Sequence, residues 1–242
     1  MKNGTSVVAA LLVGLGLGLG GWFIGNGFFQ GRAAERYVTV KGVSERIVTA
    51  DVALWPLQFV STDDDLKRAQ DTIKQSHEQI LAFLQRHDID AAEAEVQRLE
   101  VTDRLADPYR SGPMKSRYII VQTVMVRSNE PEIIARASQA VGELVDAGVV
   151  LSSNRGPYGG PTFLFTRLSE LKPEMIAEAT AKARQGAEQF AQDSGSRIGG
   201  IRRANQGVFV IQPRDNAPGV VEGSQLHKKV RVVSTVEYYL ND

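Results

Sequence analysis

The chain has 242 residues, 43% of them hydrophobic and 23% charged, a balance that suits a folded protein with an ordinary core. Lysine plus arginine equals aspartate plus glutamate at 28 each, which removes any electrostatic reason to expect nucleic acid as a partner. Cysteine is absent, so disulfides, thiolate catalysis and cysteine–zinc sites are excluded.

No charged residue occurs between Lys2 and Arg32. The apolar core of this stretch, residues 7–29, is long enough at about 1.5 Å per residue to cross a hydrocarbon layer of about 30 Å. A cleaved secretory signal would have a shorter apolar region and a small-x-small site. The nearest such sites here, around Gly31 to Ala34, contain Arg32. The expectation is an uncleaved transmembrane helix over 7–29, with 1–6 as a tail and 30–36 as a linker. At about 100° per residue, Gly14, Gly18, Gly21 and Gly25 share one face, and Gly16, Gly20 and Gly27 lie nearly opposite. Small residues spaced by about four let membrane helices approach closely, so two such faces would allow each helix two neighbours, as in a ring. Glycine is also simply frequent in membrane spans, and both readings stand. Trp22, Phe23, Phe28 and Phe29 cluster at one end as an interfacial aromatic belt. Arg32, Arg36 and Lys41 against Lys2 weakly favour the folded part on the inner side.

Tyr37 to Val43 alternates apolar and polar residues and predicts a strand, with Gly42 at a bend or bulge. A second strand runs from Arg46 to Val60, and Pro56 within it points to a sheet edge or a kink. Asp63-Asp64-Asp65 could be a cation site. No downstream glutamate stands at loop-ligand spacing, which favours a helix N-cap with acidic residues complementing the dipole. The helix runs to Arg86, with Leu66, Ala69, Ile73, Ile80, Leu81 and Leu84 as its apolar stripe and His77 beside it.

Strands follow over Ala94 to Leu105 and Ser116 to Arg127, joined by a hairpin loop carrying Asp107-Pro108 and Ser111-Gly112-Pro113. A second helix spans Glu130 to Ala147, capped by Asn129, with Pro131 in its first turn and Ile134, Ala137, Val141 and Leu144 buried. Val149 to Ser152 and Thr162 to Leu168 read as strands. The intervening loop, with Arg155, Gly156, Tyr158 and Pro161, is a bulge or turn, or else a ligand loop contacting through Arg155 and Tyr158. The third helix, Glu170 to Asp193, carries Leu171, Met175, Ala179, Ala183, Ala187 and Phe190 on one side, an alanine ridge that lets it sit close to a sheet. Strands over Arg197 to Ile211 and Lys228 to Leu240 close the chain, with Pro213 to Ser224 as a mobile loop between them. The order β-β-α-β-β-α-β-α-β-β predicts an α+β fold of antiparallel strand pairs with three main helices, possible as two lobes within residues 37–242.

No motif for chemistry emerges. There is no Gly-x-Ser-x-Gly elbow, no His-Glu-x-x-His pair and no phosphate loop, and His77, His87 and His227 are scattered. The expectation is a protein without catalysis, cofactor or metal, although a site assembled by the fold from distant residues would leave no such motif.

Tyr37-Val38-Thr39-Val40-Lys41-Gly42 resembles the first strand of SIMPL-domain proteins. Ala50-Asp51-Val52-Ala53 falls where that family usually has Pro-Asp and an alternating strand. Leu84 to Ile89 is similar to the exit of its first helix, and Tyr118 to Val126 to its next strand. The alanine-rich run Ala177 to Ala191, followed by Ser194-Gly195 and Ile198-Gly199, is the most specific likeness, and Val230 to Tyr239 resembles the closing strand. The resemblance covers residues 37 to 240. It implies a bacterial envelope protein, periplasmic or tethered to the inner membrane, with the folded part outside the cytoplasm despite the flanking charges. It also implies a two-lobed α+β domain, ring- or channel-like homo-oligomers in some members, and a link to oxidative stress in some. The family offers no agreed catalytic residues. Three readings follow. The first is a membrane-anchored, oligomer-forming envelope protein with a structural or stress-protective role. The second is a module binding a small ligand or partner protein through Gly156–Pro161 or Pro213–Ser224. The third is an unrecognised enzyme.

Overall fold

The computed structural model describes residues 13–27, 36–106, 116–152 and 160–241. Helix α1 covers 13–27. The folded part runs β1 (Tyr37–Thr49), β2 (Val52–Asp63), α2 (Leu66–Arg86), β3 (Ala94–Asp103), β4 (Tyr118–Ser128), α3 (Pro131–Gln139), α4 (Gly142–Asp146), β5 (Thr162–Leu164), α5 (Leu168–Asp193), β6 (Arg197–Gln206), β7 (Val210–Pro213) and β8 (His227–Asn241). This is an α+β fold with antiparallel sheets and several helices. It divides into two compact units, one of residues 1–44, 174–208 and 232–242, the other of 45–173 and 209–231.

In the larger unit the strand order is β3-β4-β2-β5. The odd residues of β2 and the even residues of β4 share one face, with Trp55 opposite Val126, Leu57 opposite Val124 and Phe59 opposite Gln122. Ala69, Ile73, Ile80, Phe83 and Leu84 of α2 pack on that face and form one core with Ile134 and Ala137 of α3 and Leu144 of α4. Leu66, expected on the stripe, is the first residue of the helix and is 43% exposed. Asp65 caps α2 by accepting from the amides of Lys67 and Arg68 at 2.9 and 3.0 Å. Asp63 accepts from Arg68 at 2.8 Å and Asp64 from the amide of Arg117 at 3.0 Å, so all three aspartates serve the helix start and the β3–β4 hairpin. The helix ends in a Schellman turn. Asp88 is left-handed at φ 61°, its amide donates to Gln85 C=O at 3.2 Å, and the Ile89 amide donates to Leu84 C=O at 2.9 Å.

Pro56 sits inside β2, between β4 on one side and β5 on the other, but the β5 side is interrupted. β5 pairs only with Val52 to Leu54, and chain 150–152 joins at Gln58 and Val60. Backbone groups of even residues point to that side, so the amide that proline lacks falls in the gap and no ladder bond is lost. The predicted second helix is two helices, α3 and α4, broken at Ala140–Val141. Its N-cap is Glu130 rather than Asn129, with Pro131 opening the helix. Likewise the strand expected over 197–211 is two strands, β6 and β7, with Gly207 after β6 donating its amide to Val233 O at 2.8 Å. A Cβ there would stand 2.7 Å from Val233 O.

In the smaller unit β8 lies between β1 and β6, and residues 174–193 of α5 cover the sheet. Met175, Ala179, Ala183, Ala187 and Ala191 are buried along the helix. Ala183 and Ala187 pack on Val38, Val236 and Tyr238. Phe190, expected on this ridge, is 50% exposed, and Ala191 takes the inward place. Gly42 is where the helix backbone touches the strand, since a Cβ on it would lie 1.8 Å from Ala179 O and 2.5 Å from Ala183 N. Buried Ser44 fastens the same contact by donating to Glu178 Oε2 at 2.8 Å.

Among the described residues no helix is long and apolar enough to cross a membrane. The span expected over 7–29 extends past α1 at both ends, beyond the described residues. Side chains of α1 are exposed throughout, and nothing lies within 4 Å of a Cβ built on Gly14, Gly16, Gly18, Gly20, Gly21 or Gly25.

Candidate functional site

The two glycine- and proline-rich segments singled out in the sequence meet at one cleft of the larger unit. Gly160, Pro161, Thr162 and Phe163 form one wall and Val221, Gly223, Ser224 and Leu226 another, with Ser138 and Gln139 of α3 beside them, around about 670 Å³. The walls touch, since a Cβ on Gly223 would stand 3.3 Å from Thr162 Cγ2. Ser138 and Ser224 hydroxyls donate to Ala135 O and Val221 O in their own turns, at 2.8 and 2.9 Å. The cleft therefore offers mainly apolar surface with a few polar atoms, the ordinary make-up of a ligand pocket. Arg155 and Tyr158, the loop contacts expected from sequence, lie outside the described residues.

One wall is held by a side chain that sequence reasoning overlooked. Lys228 is fully buried. Its Nζ donates to Glu222 O at 2.7 Å and pairs with the Glu222 carboxylate. The signal was there in the parity of β8, where Val230, Val232, Ser234, Val236 and Tyr238 are all inward and even-numbered. An even-numbered lysine at the start of the same strand had to point inward too. The pair anchors the end of the Pro213–Ser224 loop, which carries Val221, Gly223 and Ser224 to the cleft.

A second, polar cleft of about 530 Å³ surrounds the β1–β2 turn, lined by Asp51, Arg127, Asn129, Glu132, Thr166 and Arg167 among others. Asp51 accepts from the Thr166 amide at 2.8 Å, the Thr166 hydroxyl at 2.9 Å and Arg167 Nε at 3.2 Å. Burial pushes its carboxyl up, but the two bonds from Thr166, its own amide and the Arg167 charge outweigh that and hold it below the usual carboxylate range. With its oxygens committed, Asp51 joins the β1–β2 turn to the start of α5 and is no free base. Arg127 Nη1 reaches Asn129 Oδ1 at 3.4 Å.

The three histidines stay apart. His77 is half-buried on α2. The His87 ring packs tilted against Phe83, centroids 4.5 Å apart, with Nε2 3.3 Å from Glu143 Oε1. His227 Nδ1 lies 3.3 Å from Thr49 Oγ1. Among the described residues, no group of three or more His, Asp or Glu side chains is placed to hold a metal ion.

A comparison with curated proteins returns no match. Residues 38–238 match the family model SIMPL, described as a protein of unknown function (DUF541). With that match spanning most of the chain, and with the strand, alanine-helix and closing-strand features where the resemblance put them, the chain belongs to the SIMPL family.

Proposed function

We propose that this is a membrane-anchored, oligomer-forming envelope protein with a structural or stress-protective role rather than a catalytic one. The observation that carries the reading is α1. Val13, Leu15, Leu17, Leu19, Trp22, Phe23 and Ile24 are 51–76% exposed, on a helix set in a run without charge from residue 3 to residue 31. Withdrawing one such side chain from water is worth about 1.5–3 kcal/mol, so the helix gains most by entering an apolar phase. Residues 7–29 then span the bacterial inner membrane once, and the folded part lies on the periplasmic side, as family membership suggests. The glycine faces of the span supply contacts between copies. The test is fractionation together with the mass of the detergent-solubilised particle. Membrane association that survives alkaline carbonate, and a discrete multimer, are expected. A chain that washes off, or a monomer at every concentration, refutes it.

The second reading, a binding module, is favoured by one observation: both predicted loops line the 670 Å³ cleft. An apolar fluorescent probe that is bound by the native protein and lost on Gly223→Trp would support it. Indifference of the probe to that substitution would remove it.

A further inference from the structure

Among the described residues, β3 is an edge strand with no neighbour on its outer side. Edges of this kind are normally blunted, because unpaired amides and carbonyls template pairing with another chain. β6, an edge strand of the other sheet, is blunted by two register shifts and by Arg197 and Arg203, both exposed. β3 has one shift, between Val96 and Arg98, and is regular from Arg98 to Asp103. Val96, Leu99 and Val101 stand opposite Val124, Gln122 and Ile120, on the face that α2 covers elsewhere. On β3 they are left 47%, 58% and 50% exposed. Arg98 and Glu100 project from the other face, 68% and 52% exposed, and pair with each other along the strand at 2.9 Å.

We propose that β3 is the contact edge for a second copy of this chain, the two strands pairing antiparallel about a two-fold axis at Leu99. This rests on the oligomer-forming reading above and names its surface. Charge selects the register. A two-fold axis at residue k sets residue i opposite 2k − i, so every residue-centred axis keeps core-side residues opposite core-side residues. An axis at Arg98 or at Glu100 sets that charge opposite its own like. An axis at Gln97 centres the ladder on the irregular residue. An axis at Val101 sets Arg98 opposite Arg104 of the second copy. With the axis at Leu99, Arg98 of each copy meets Glu100 of the other, and the pair is made twice. Leu99 then meets its own counterpart, with Val101 of each copy diagonal to it, so the exposed apolar row is covered by itself. The irregularity at Gln97 falls outside these central pairs and keeps the ladder short.

The chain has no cysteine, so single thiols report this geometry directly. Directly opposite residues have Cα atoms about 4.5–5.5 Å apart, within the span of a disulfide. In the full chain, solubilised in detergent and oxidised with copper phenanthroline, Leu99→Cys is expected to give a covalent dimer. Val101→Cys, about 13 Å from its counterpart along the ladder, is not. Crosslinking at neither position, or as readily at 101 as at 99, overturns the proposal. Arg98→Glu and Glu100→Arg each turn two attractive pairs into repulsive ones and are expected to weaken association about tenfold or more. The double variant restores it. Both side chains are exposed, so circular dichroism checks that the variants fold. Single variants with no effect, or a double variant that does not recover, also overturn it. A stable multimer indifferent to every β3 change would reject this surface and leave the oligomer reading standing, whereas a monomeric wild-type particle would reject both.

Discussion

Gly42 is the position where one methyl group should cost the most. A Cβ added there would lie 1.8 Å from the Ala179 carbonyl oxygen and 2.5 Å from the Ala183 amide nitrogen. Carbon–oxygen contacts rarely fall below about 3.3 Å, so α5 would have to retreat by about 1.5 Å. Both obstacles are backbone, so no side-chain rotation relieves the clash. A gap of 0.5–1 Å already forfeits about a quarter to a half of a dispersion contact. The contacts at risk are those of Ala183 and Ala187 with Val38, Val236 and Tyr238. The Ser44–Glu178 hydrogen bond beside them is strained as well. Gly42→Ala is therefore expected to cost about 3 kcal/mol or more, the upper end of overpacking penalties, which lowers Tm by about 6–12 °C. The control is Gly186→Ala on the same helix. Its Cβ would meet nothing nearer than Val40 Cγ1 at 4.0 Å, and alanine is the better helix former by up to about 1 kcal/mol. Urea unfolding of both variants, followed by circular dichroism, is the assay. Equal behaviour, or a Gly42→Ala loss below about 1 kcal/mol, would mean that α5 does not rest on the β1 backbone.

Glu222→Gln leaves the Lys228 ammonium buried without its counter-charge and is expected to cost about 1.5–3 kcal/mol, whereas Lys228→Met removes the buried charge and leaves a partly exposed, hydratable Glu222, costing under about 1 kcal/mol. Urea melts that rank the two the other way would refute the anchoring role. Asp51 has its folded pKa below the unfolded value, so its contribution is present above about pH 4 and is lost as pH falls through the folded value. Asp51→Asn should be less stable than wild type at pH 7, and the two should converge in acid; a difference independent of pH would show that the carboxylate charge is not involved. Asp88→Gly relieves a left-handed residue at φ 61° and is expected to stabilise by about 1 kcal/mol, read as a raised Tm; a loss of stability would mean that the Asp88 side chain contributes something beyond the turn.

Much of the fold was legible because its signals are periodic. The α2 stripe, the inward parity of β8 and the alanine ridge of α5 each repeat often enough to survive one misplaced residue. What was misread depends on a partner distant in sequence. Nothing near Gly42 says that α5, more than a hundred residues later, lies against its backbone. Pro56 looks like an edge marker because nothing local says that β5 stops at the residue two before it. The break at Ala140–Val141 is followed at once by Gly142, but the apolar spacing continues through it, so periodicity alone joins α3 to α4.

The candidate site was less legible for a physical reason. A pocket is where chain segments fail to fill space, and no pattern within a segment records that. Composition marked the two loops because glycine and proline exclude regular ladders, and those loops do line the cleft. One wall of that cleft is held by Lys228, whose alternation in β8 was readable but whose burial contradicts the usual place of lysine on a surface. Residue type and strand parity disagreed, and parity was the better guide. A charged residue at an inward position forces its neighbourhood to supply a counter-charge, because an unpaired buried ammonium is too costly to keep. The loop carrying Glu222 is thus constrained by the strand that follows it, and with it the wall of the cleft that holds Val221, Gly223 and Ser224.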